Sequence, residues 1–141
     1  MSAKLILLPL VAMVLLTIIV TTTMFRRRVA TFKSKRLHPQ KVALSAQMAS
    51  LVDDSRASDN LRNLFETPVM VYVAALTIYS ANLFNAAHLW MAWAYVAARC
   101  AHSFIQCTSN VVMRRFYAFA ASVLLLLFMW LFIGYQLIST V

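Results

Sequence analysis

Residues 5–24, LILLPLVAMVLLTIIVTTTM, form a run of 20 residues without a charged side chain. At 1.5 Å per residue, a helix of this length spans about 30 Å, the thickness of the hydrocarbon core of a bilayer. Arg26, Arg27 and Arg28 follow directly. Basic residues remain on the cytoplasmic side of a membrane, and the apolar core of a cleaved signal peptide is shorter. The run therefore predicts a transmembrane helix whose C-terminal end faces the cytoplasm.

The composition of the whole chain agrees with a membrane protein. Of its 141 residues, 62% are hydrophobic, compared with roughly 45–50% in soluble proteins. One glycine and three prolines supply too little turn chemistry for a barrel of short strands. We therefore predict an all-α fold, an integral membrane bundle of four helices, and exclude a water-soluble domain.

The formal net charge of +9 is concentrated in one part of the chain. Seven of the thirteen basic residues lie at positions 26–41, directly after the first apolar run. Charge at this position sets membrane topology and attracts anionic headgroups. We expect membrane lipid as a partner and no nucleic-acid partner.

The remaining spans follow from the distribution of charge. Residues 67–98 contain no Asp, Glu, Lys or Arg, and these 32 residues are too many for one span. Ser80, Asn82 and Asn85 mark the break between two helices. We predict a single domain, residues 1–141, with spans at about 5–25, 61–81, 86–107 and 116–139 and a cytoplasmic loop at about 26–60. Four spans place both termini on the side away from the cytoplasm.

Several finer features are also predicted. Residues 41–52 have the spacing of an amphipathic extension of the second helix, and Trp90, Trp93 and Tyr95 are expected to be interfacial anchors. Cys100 and Cys107 share one helix face, but seven residues separate them, which is too far for a disulfide. The chain offers no cluster of ligands, so we expect no metal site.

Charged residues inside membrane spans are costly and usually functional. Glu66 and Arg99 lie roughly 8 Å and 12 Å from the cytoplasmic ends of their helices, so we expect a buried ion pair between them. Polar residues recur at helical spacing around each and predict a polar pocket open to the cytoplasm. On the second helix these residues are Asp59, Arg62, Asn63 and Glu66; on the third they are Arg99, His102, Gln106 and Asn110.

These residues resemble a known family, the membrane-associated proteins in eicosanoid and glutathione metabolism (MAPEG). The resemblance covers nearly the whole chain. It rests on four spans with short connections, the basic loop after the first, residues 58–68 (SDNLRNLFETP) with their Asn-x-x-Glu core, and residues 97–110 (AARCAHSFIQCTSN). The chain is most similar to the short bacterial members, which implies a bacterial inner membrane.

The resemblance implies a homotrimer with active sites between neighbouring subunits near the cytoplasmic surface. There, glutathione would bind as co-substrate and its thiol would be activated for transfer to a lipophilic electrophile or for peroxide reduction. Asn63 and Glu66 match the Asn and Glu of the family's second helix, and Arg99 matches the Arg of its third helix. Arg62 lies on the same polar stripe and completes the expected glutathione-binding set.

Other positions depart from the family's pattern. Asp59 replaces an Arg of the better-known transferases, and His102 and Gln106 replace two Tyr. The Arg associated with thiol activation would align near Met113, one residue before Arg114. His102 and Arg114 are therefore the candidates for thiol activation.

Two other functions stay open at this point. The departures at Asp59, His102 and Gln106 also suit a noncatalytic scaffold or regulatory binding protein that retains the MAPEG fold. Polar residues inside spans also occur in small transporter subunits, but the outer halves of these helices lack matching polar positions.

Overall fold

We describe the protein from a computed structural model, of which residues 2–36, 38, 40, 45–52 and 54–139 are described here. Regular secondary structure in these residues is entirely helical, which confirms the predicted all-α fold. A 3₁₀ segment, Ala3–Leu7, leads directly into α1 (Leu8–Ser34). The helices after α1 are the short α2 (Ser45–Leu51), α3 (Arg56–Ser80), α4 (Ala86–Cys107) and α5 (Val112–Ser139).

Two helical segments, Ala3–Ser34 and Val112–Ser139, are long and apolar enough to cross a membrane. The first contains threonines whose hydroxyls need partners in a lipid environment. Thr21, Thr22 and Thr23 each donate to the backbone carbonyl four residues earlier, at 2.8 Å. These hydroxyls are therefore satisfied within the helix, and α1 can present them to lipid without a desolvation cost.

The four long helices pack as a bundle, with α4 mainly against α5 and α1 mainly against α3. The alanines Ala74, Ala75 and Ala92 are fully or almost fully buried, and such small side chains let helices approach closely. Larger apolar residues fill the remaining space in two clusters. The cluster nearer the N-terminus contains Ile6, Ile78, Met129 and Ile133, and the other contains Met13, Leu64, Val71, Tyr95 and Leu126.

Asparagines form the two tight connections between the last three helices. Asn82 and Asn110 adopt positive φ angles of 56° and 50°, a region that asparagine tolerates better than most residues. Asn85 caps α4, since its side-chain oxygen accepts from the backbone N–H of His88 at 3.1 Å. Short turns of this kind hold consecutive helices antiparallel.

Large apolar side chains cover the outer surface of the bundle. Trp90 is 74% exposed, Phe104 71%, Ile19 62% and Ile138 79%. Exposing this much apolar surface to water costs free energy, and this cost is absent when the surface contacts lipid. The surface therefore agrees with a helical bundle in a membrane.

The segment predicted as a loop, residues 26–60, contains more helix than the sequence indicated. Residues 26–34 contain neither Gly nor Pro, and α1 continues through them to Ser34, before the turn at Arg36 with φ 49°. The predicted extension over residues 41–52 is wrong: Ser45–Leu51 is a separate helix, α3 begins at Arg56, and residues 41–44 lie outside the described part. At the other end, α5 begins at Val112, so Arg114 and Arg115 lie in its first turns.

The prediction for Tyr95 was also wrong. Tyr95 is fully buried, whereas Trp90 in the same helix is exposed. Its hydroxyl donates to Thr67 Oγ1 on α3 at 3.4 Å. Tyr95 therefore joins two helices and is not an interfacial anchor.

An ionic cluster holds the helices together at the basic end of the bundle. Asp54 accepts from Arg56 Nε at 2.8 Å and from Arg27 Nη1 at 3.2 Å. Arg27 Nη2 also donates to the Cys107 carbonyl at 2.6 Å, and Arg56 Nη1 donates to the Thr108 carbonyl at 2.7 Å. The last carbonyls of a helix lack partners in the helix and form the negative end of its dipole. The cluster therefore caps α4 and ties it to α1 and α3.

We predict that Asp54→Asn lowers the melting temperature in detergent by about 2 to 4 °C at neutral pH. The side-chain hydrogen bond from Arg56 is the main cause that holds the pKa of Asp54 below its usual range. A carboxyl with a lower pKa when folded stabilises the fold above its unfolded pKa of about 3.9, and this stabilisation is lost as the pH falls through the folded pKa. The two melting curves should therefore converge in acid.

Asp59→Asn is the matched control, because the Asp59 carboxylate is exposed and accepts from Ser55 at 2.7 Å. An equal loss of stability in both variants at neutral pH would show that the cluster does not stabilise the bundle.

Candidate functional site between α3, α4 and α5

One face of α4 carries four polar residues that are related to one another by three- and four-residue spacings. Arg99, His102, Ser103 and Gln106 are all buried, with exposures from 0% to 3%. This spacing places side chains on one side of a helix. The sequence predicted such a stripe, and the structure directs it into the protein.

The facing residues on α3 are asparagines. Asn60 is fully buried; its oxygen accepts from Ser103 Oγ at 3.2 Å and its Nδ2 donates to Cys107 Sγ at 3.4 Å. Asn63 is half-buried, and its Nδ2 lies 3.2 Å from Gln106 Oε1. The two helices are therefore joined by side-chain hydrogen bonds along two turns.

Arg99 has an unusual environment for a charged group. Its side chain is fully buried, and Nη2 donates to the Asn63 carbonyl at 2.8 Å. Nε and Nη1 are buried and have no hydrogen-bond partner among the residues that the structure describes. The guanidinium carbon lies 5.6 Å from the centroid of the Phe119 ring on α5. One cation–π contact and one hydrogen bond compensate only part of the cost of burying this charge.

His102 takes part in a hydrogen-bond network. Its Nδ1 lies 3.0 Å from the Arg115 carbonyl oxygen, and its Nε2 lies 2.8 Å from Gln106 Oε1. A carbonyl can only accept, so Nδ1 carries a proton. In the neutral ring, Nε2 accepts a hydrogen bond, so the amide nitrogen of Gln106 must face it. This requires the oxygen and nitrogen of the Gln106 side-chain amide to exchange places, and those of the Asn63 amide likewise. In either orientation both ring nitrogens are engaged, which fixes the imidazole between α4 and α5.

The predicted ion pair between Glu66 and Arg99 is not formed. Glu66 is exposed, and no contact within ion-pair distance joins it to Arg99 in the described structure. Successive residues of a helix are separated by about 100° around its axis. Arg62 is therefore turned by about 100° from Asn63, and Glu66, three residues after Asn63, by about 60° in the same direction. The packing of α3 against α4 directs Asn63 toward Arg99 and leaves Glu66 on the outside.

The structure gathers only half of the predicted site residues. Asn63, Arg99 and His102 lie together, whereas Arg62, Glu66 and Arg114 are exposed on this chain. Arg115 takes the inner position in α5: its carbonyl contacts His102, and its Nη1 donates to Asn110 Oδ1 at 2.7 Å. The roles predicted for the six residues remain predictions.

Sequence reasoning missed two members of the cluster, Asn60 and Ser103. Asn60 precedes Asn63 by three residues, and Ser103 follows Arg99 by four, so helical spacing could have identified both. The charges of Arg62 and Glu66 drew attention to the face of α3 that is exposed on this chain. Small polar residues give a weaker signal than charges, although in a bundle they are the ones that can be buried.

The site is chemically suited to an anion. The Arg99 guanidinium is buried and has free donors at Nε and Nη1, and no carboxylate in the described residues lies within ion-pair distance of it. A thiolate or carboxylate would satisfy both the charge and the donors.

Comparison with known proteins identifies the family. The sequence model of the MAPEG family matches residues 6–135, which is most of the chain. Searches against curated proteins and against solved structures gave no match. The family match agrees with the helical membrane bundle that the structure shows. This chain belongs to the MAPEG family of membrane proteins.

Proposed function

We propose that the protein is a glutathione-dependent transferase or peroxidase that acts on lipophilic electrophiles at the membrane. The observation that carries this proposal is Arg99, a fully buried guanidinium with two nitrogens that lack partners in the described residues. A buried cation costs free energy unless an anion or several acceptors surround it. A cost of this kind is expected at a site that binds an anionic group.

Glutathione supplies an anion that becomes reactive when it is stabilised. The nucleophile is the thiolate, and an adjacent positive charge favours its formation over the thiol. Arg99 would hold the thiolate or one carboxylate, and the Asn63 carbonyl keeps the guanidinium in position through the 2.8 Å hydrogen bond. Low polarity around the pair strengthens the attraction between them.

Either reaction then follows from the thiolate. In transfer, the sulfur bonds to an electrophilic carbon, whose leaving group departs or whose double bond takes up a proton. In peroxide reduction, the sulfur attacks an oxygen of the peroxide and an alcohol leaves. The thiol of a second glutathione then attacks this oxidised sulfur, which releases water and forms the disulfide. A lipophilic acceptor would reach the site through the bilayer, in which it partitions.

We further propose a homotrimer in which Arg62 and Glu66 of one copy contribute to a site shared with the next. Both residues are exposed on this chain. Arg62 directly precedes Asn63, and Glu66 follows Asn63 by three residues, which is less than one helical turn. Arg62 would hold a glutathione carboxylate, and Glu66 would bind the amine. Arg114 is also exposed at the same end and would supply further positive charge.

We place the protein in a bacterial inner membrane with its basic end in the cytoplasm and its termini on the opposite side. The basic residues at positions 26–28 and 114–115 lie at one end of the bundle, as the charge rule for cytoplasmic loops requires. Glutathione is abundant in reducing compartments, so this orientation would expose the site to its co-substrate.

A second function is favoured by the network around His102. Both of its ring nitrogens are already engaged, at 3.0 Å and 2.8 Å. A histidine fixed in this way stabilises the contact between α4 and α5 and does not need a substrate. A noncatalytic binding protein that retains the family's fold would show these contacts, and it would bind glutathione or another anion at Arg99 without turnover.

We predict saturable binding of glutathione to the purified protein, accompanied by thiolate formation, and a loss of roughly 10- to 100-fold in affinity in Arg99→Met. Methionine has a similar length and no charge, so the variant removes the cation without leaving a large cavity. Calorimetric titration measures the affinity, and ultraviolet absorbance follows the ionisation of the thiol.

Lys33→Met is the control variant. Lys33 is an exposed cation in the last turn of α1 and lies outside the proposed site. Turnover of an apolar electrophile or hydroperoxide would establish the enzyme. Binding without turnover would favour the noncatalytic protein. Absence of binding by folded wild type at millimolar glutathione would exclude the glutathione-dependent enzyme and leave only a noncatalytic protein that binds another anion.

We also predict that Arg99→Met stabilises the protein in the absence of ligand. Replacing a buried, incompletely paired charge by a packed apolar side chain often raises the free energy of unfolding, by about 1 to 4 kcal/mol. Thermal unfolding in detergent would show a higher melting temperature for Arg99→Met than for wild type. A lower melting temperature would mean that Arg99 stabilises the fold and that its burial is not evidence for a ligand.

A further inference from the structure

A groove between α1 and α4 lies on a different side of α4 from the Arg99 site. It has a volume of about 290 Å³ and is partly open to the surroundings. Whereas Arg99, His102 and Gln106 face α3 and α5, the groove is formed by residues of α1 and α4. The apolar side chains on its wall are Leu16, Ile19, Val20 and Phe104, and both free cysteines, Cys100 and Cys107, also line it.

The length of the groove matches one leaflet of a bilayer. On α1 it runs from Leu16 to Arg27, which corresponds to about 16 Å along the helix axis. The hydrocarbon core of a bilayer is about 30 Å thick, so one leaflet contributes about half of that. The groove therefore extends from the basic end to about the depth at which an acyl chain of that leaflet ends.

The polar groups on the groove wall are satisfied within the protein. Thr23 donates to the Ile19 carbonyl at 2.8 Å, and Thr108 donates to the Phe104 carbonyl at 2.6 Å. Ser103 donates to Asn60 at 3.2 Å. These hydroxyl protons are not available to an occupant, so most of the wall suits an alkyl chain and offers little to a polar ligand.

The charge of the groove is concentrated at its basic end. Arg27 is the charged residue on the wall, and its side chain remains 35% exposed. Its nearest anion, Asp54, is shared with Arg56. Among the described residues, two cations and one carboxylate leave a net positive charge at this end, next to the exposed Arg26 and half-buried Arg28. An anionic headgroup is therefore complementary to this end of the groove.

We propose that this groove binds one acyl chain of an anionic phospholipid, with the lipid phosphate at Arg27. The chain covers Leu16, Ile19 and Phe104, and the phosphate accepts hydrogen bonds from the guanidinium N–H groups that Asp54 and Cys107 do not use. The bound lipid fills the space between α1 and α4 near the ionic cluster that caps α4. Ser103 and Cys107 lie at the boundary between the two sites, since both line the groove and both are hydrogen-bonded to Asn60. The proposal does not depend on glutathione binding, because Arg99, His102 and Gln106 do not line the groove.

The test is native mass spectrometry of the detergent-purified protein with dioleoyl phosphatidylglycerol and dioleoyl phosphatidylcholine, which differ in headgroup charge and share their acyl chains. We expect wild type to retain the anionic lipid with roughly tenfold preference. Ile19→Trp should abolish retention by filling the groove. Arg27→Gln should remove the preference between the two lipids.

Ile18→Trp is the matched control for Ile19→Trp. Both isoleucines are exposed, at 55% and 62%, and they are adjacent in α1, but only Ile19 lines the groove. Equal lipid retention by the two tryptophan variants would overturn the proposal, as would equal retention of the two lipids by wild type. A change in the number of associated copies in Ile19→Trp, with lipid retention unchanged, would assign the groove to contact between copies and also overturn the proposal. The Ile19 side chain is largely exposed, so we expect Ile19→Trp to fold. Ile19→Trp therefore tests the proposal even if Arg27→Gln fails to fold.

Discussion

A bilayer offers no hydrogen-bond partners to the groups inside it, so every polar side chain in this bundle depends on a neighbouring helix or on its own backbone. The contact between α3 and α4 meets this requirement through paired groups: Asn60 with Ser103 and Cys107, and Asn63 with Gln106. These bonds set the rotation of α3 relative to α4. That rotation in turn determines which residues face the interior and therefore where the candidate site lies.

Arg99 is the charged exception in this arrangement; among the described residues, His88 and Trp130 also have buried ring nitrogens without a hydrogen-bond partner. It is fully buried, contacts the Asn63 carbonyl and the Phe119 ring, and retains two donors without partners in the described structure. Elsewhere in the bundle, the Thr hydroxyls of α1 and the carbonyls at the end of α4 find partners inside the protein. A buried charge whose donors are incompletely satisfied is costly and is typical of a position that serves binding. The charge of Arg99, together with its unpartnered donors, is what supports the proposed anion site.

The two sides of α4 have different chemical properties. The side toward α3 and α5 presents buried donors and acceptors, with one positive charge at Arg99. The side toward α1 is apolar along its length and becomes positive only at Arg27. The first suits a small polar molecule with an anionic group, and the second suits a long apolar chain with an anionic end. One helix can therefore separate a proposed reaction site from a proposed lipid site, because its faces are packed against different neighbours.

The sequence by itself determined the all-α membrane fold, the basic end of the bundle and the polar stripe of α4, because uncharged runs and helical spacing are local properties. It also indicated Asn63, Arg99 and His102, which the structure brings together. The sequence could not decide how α3 is rotated, since one residue corresponds to about 100° and Arg62, Asn63 and Glu66 are all polar. Tertiary packing placed Asn60 and Asn63 inside, left Glu66 outside, and buried Tyr95 against Thr67. The physical reason is that helix rotation is set by side-chain packing and hydrogen bonds between helices, which residue spacing within one helix does not contain.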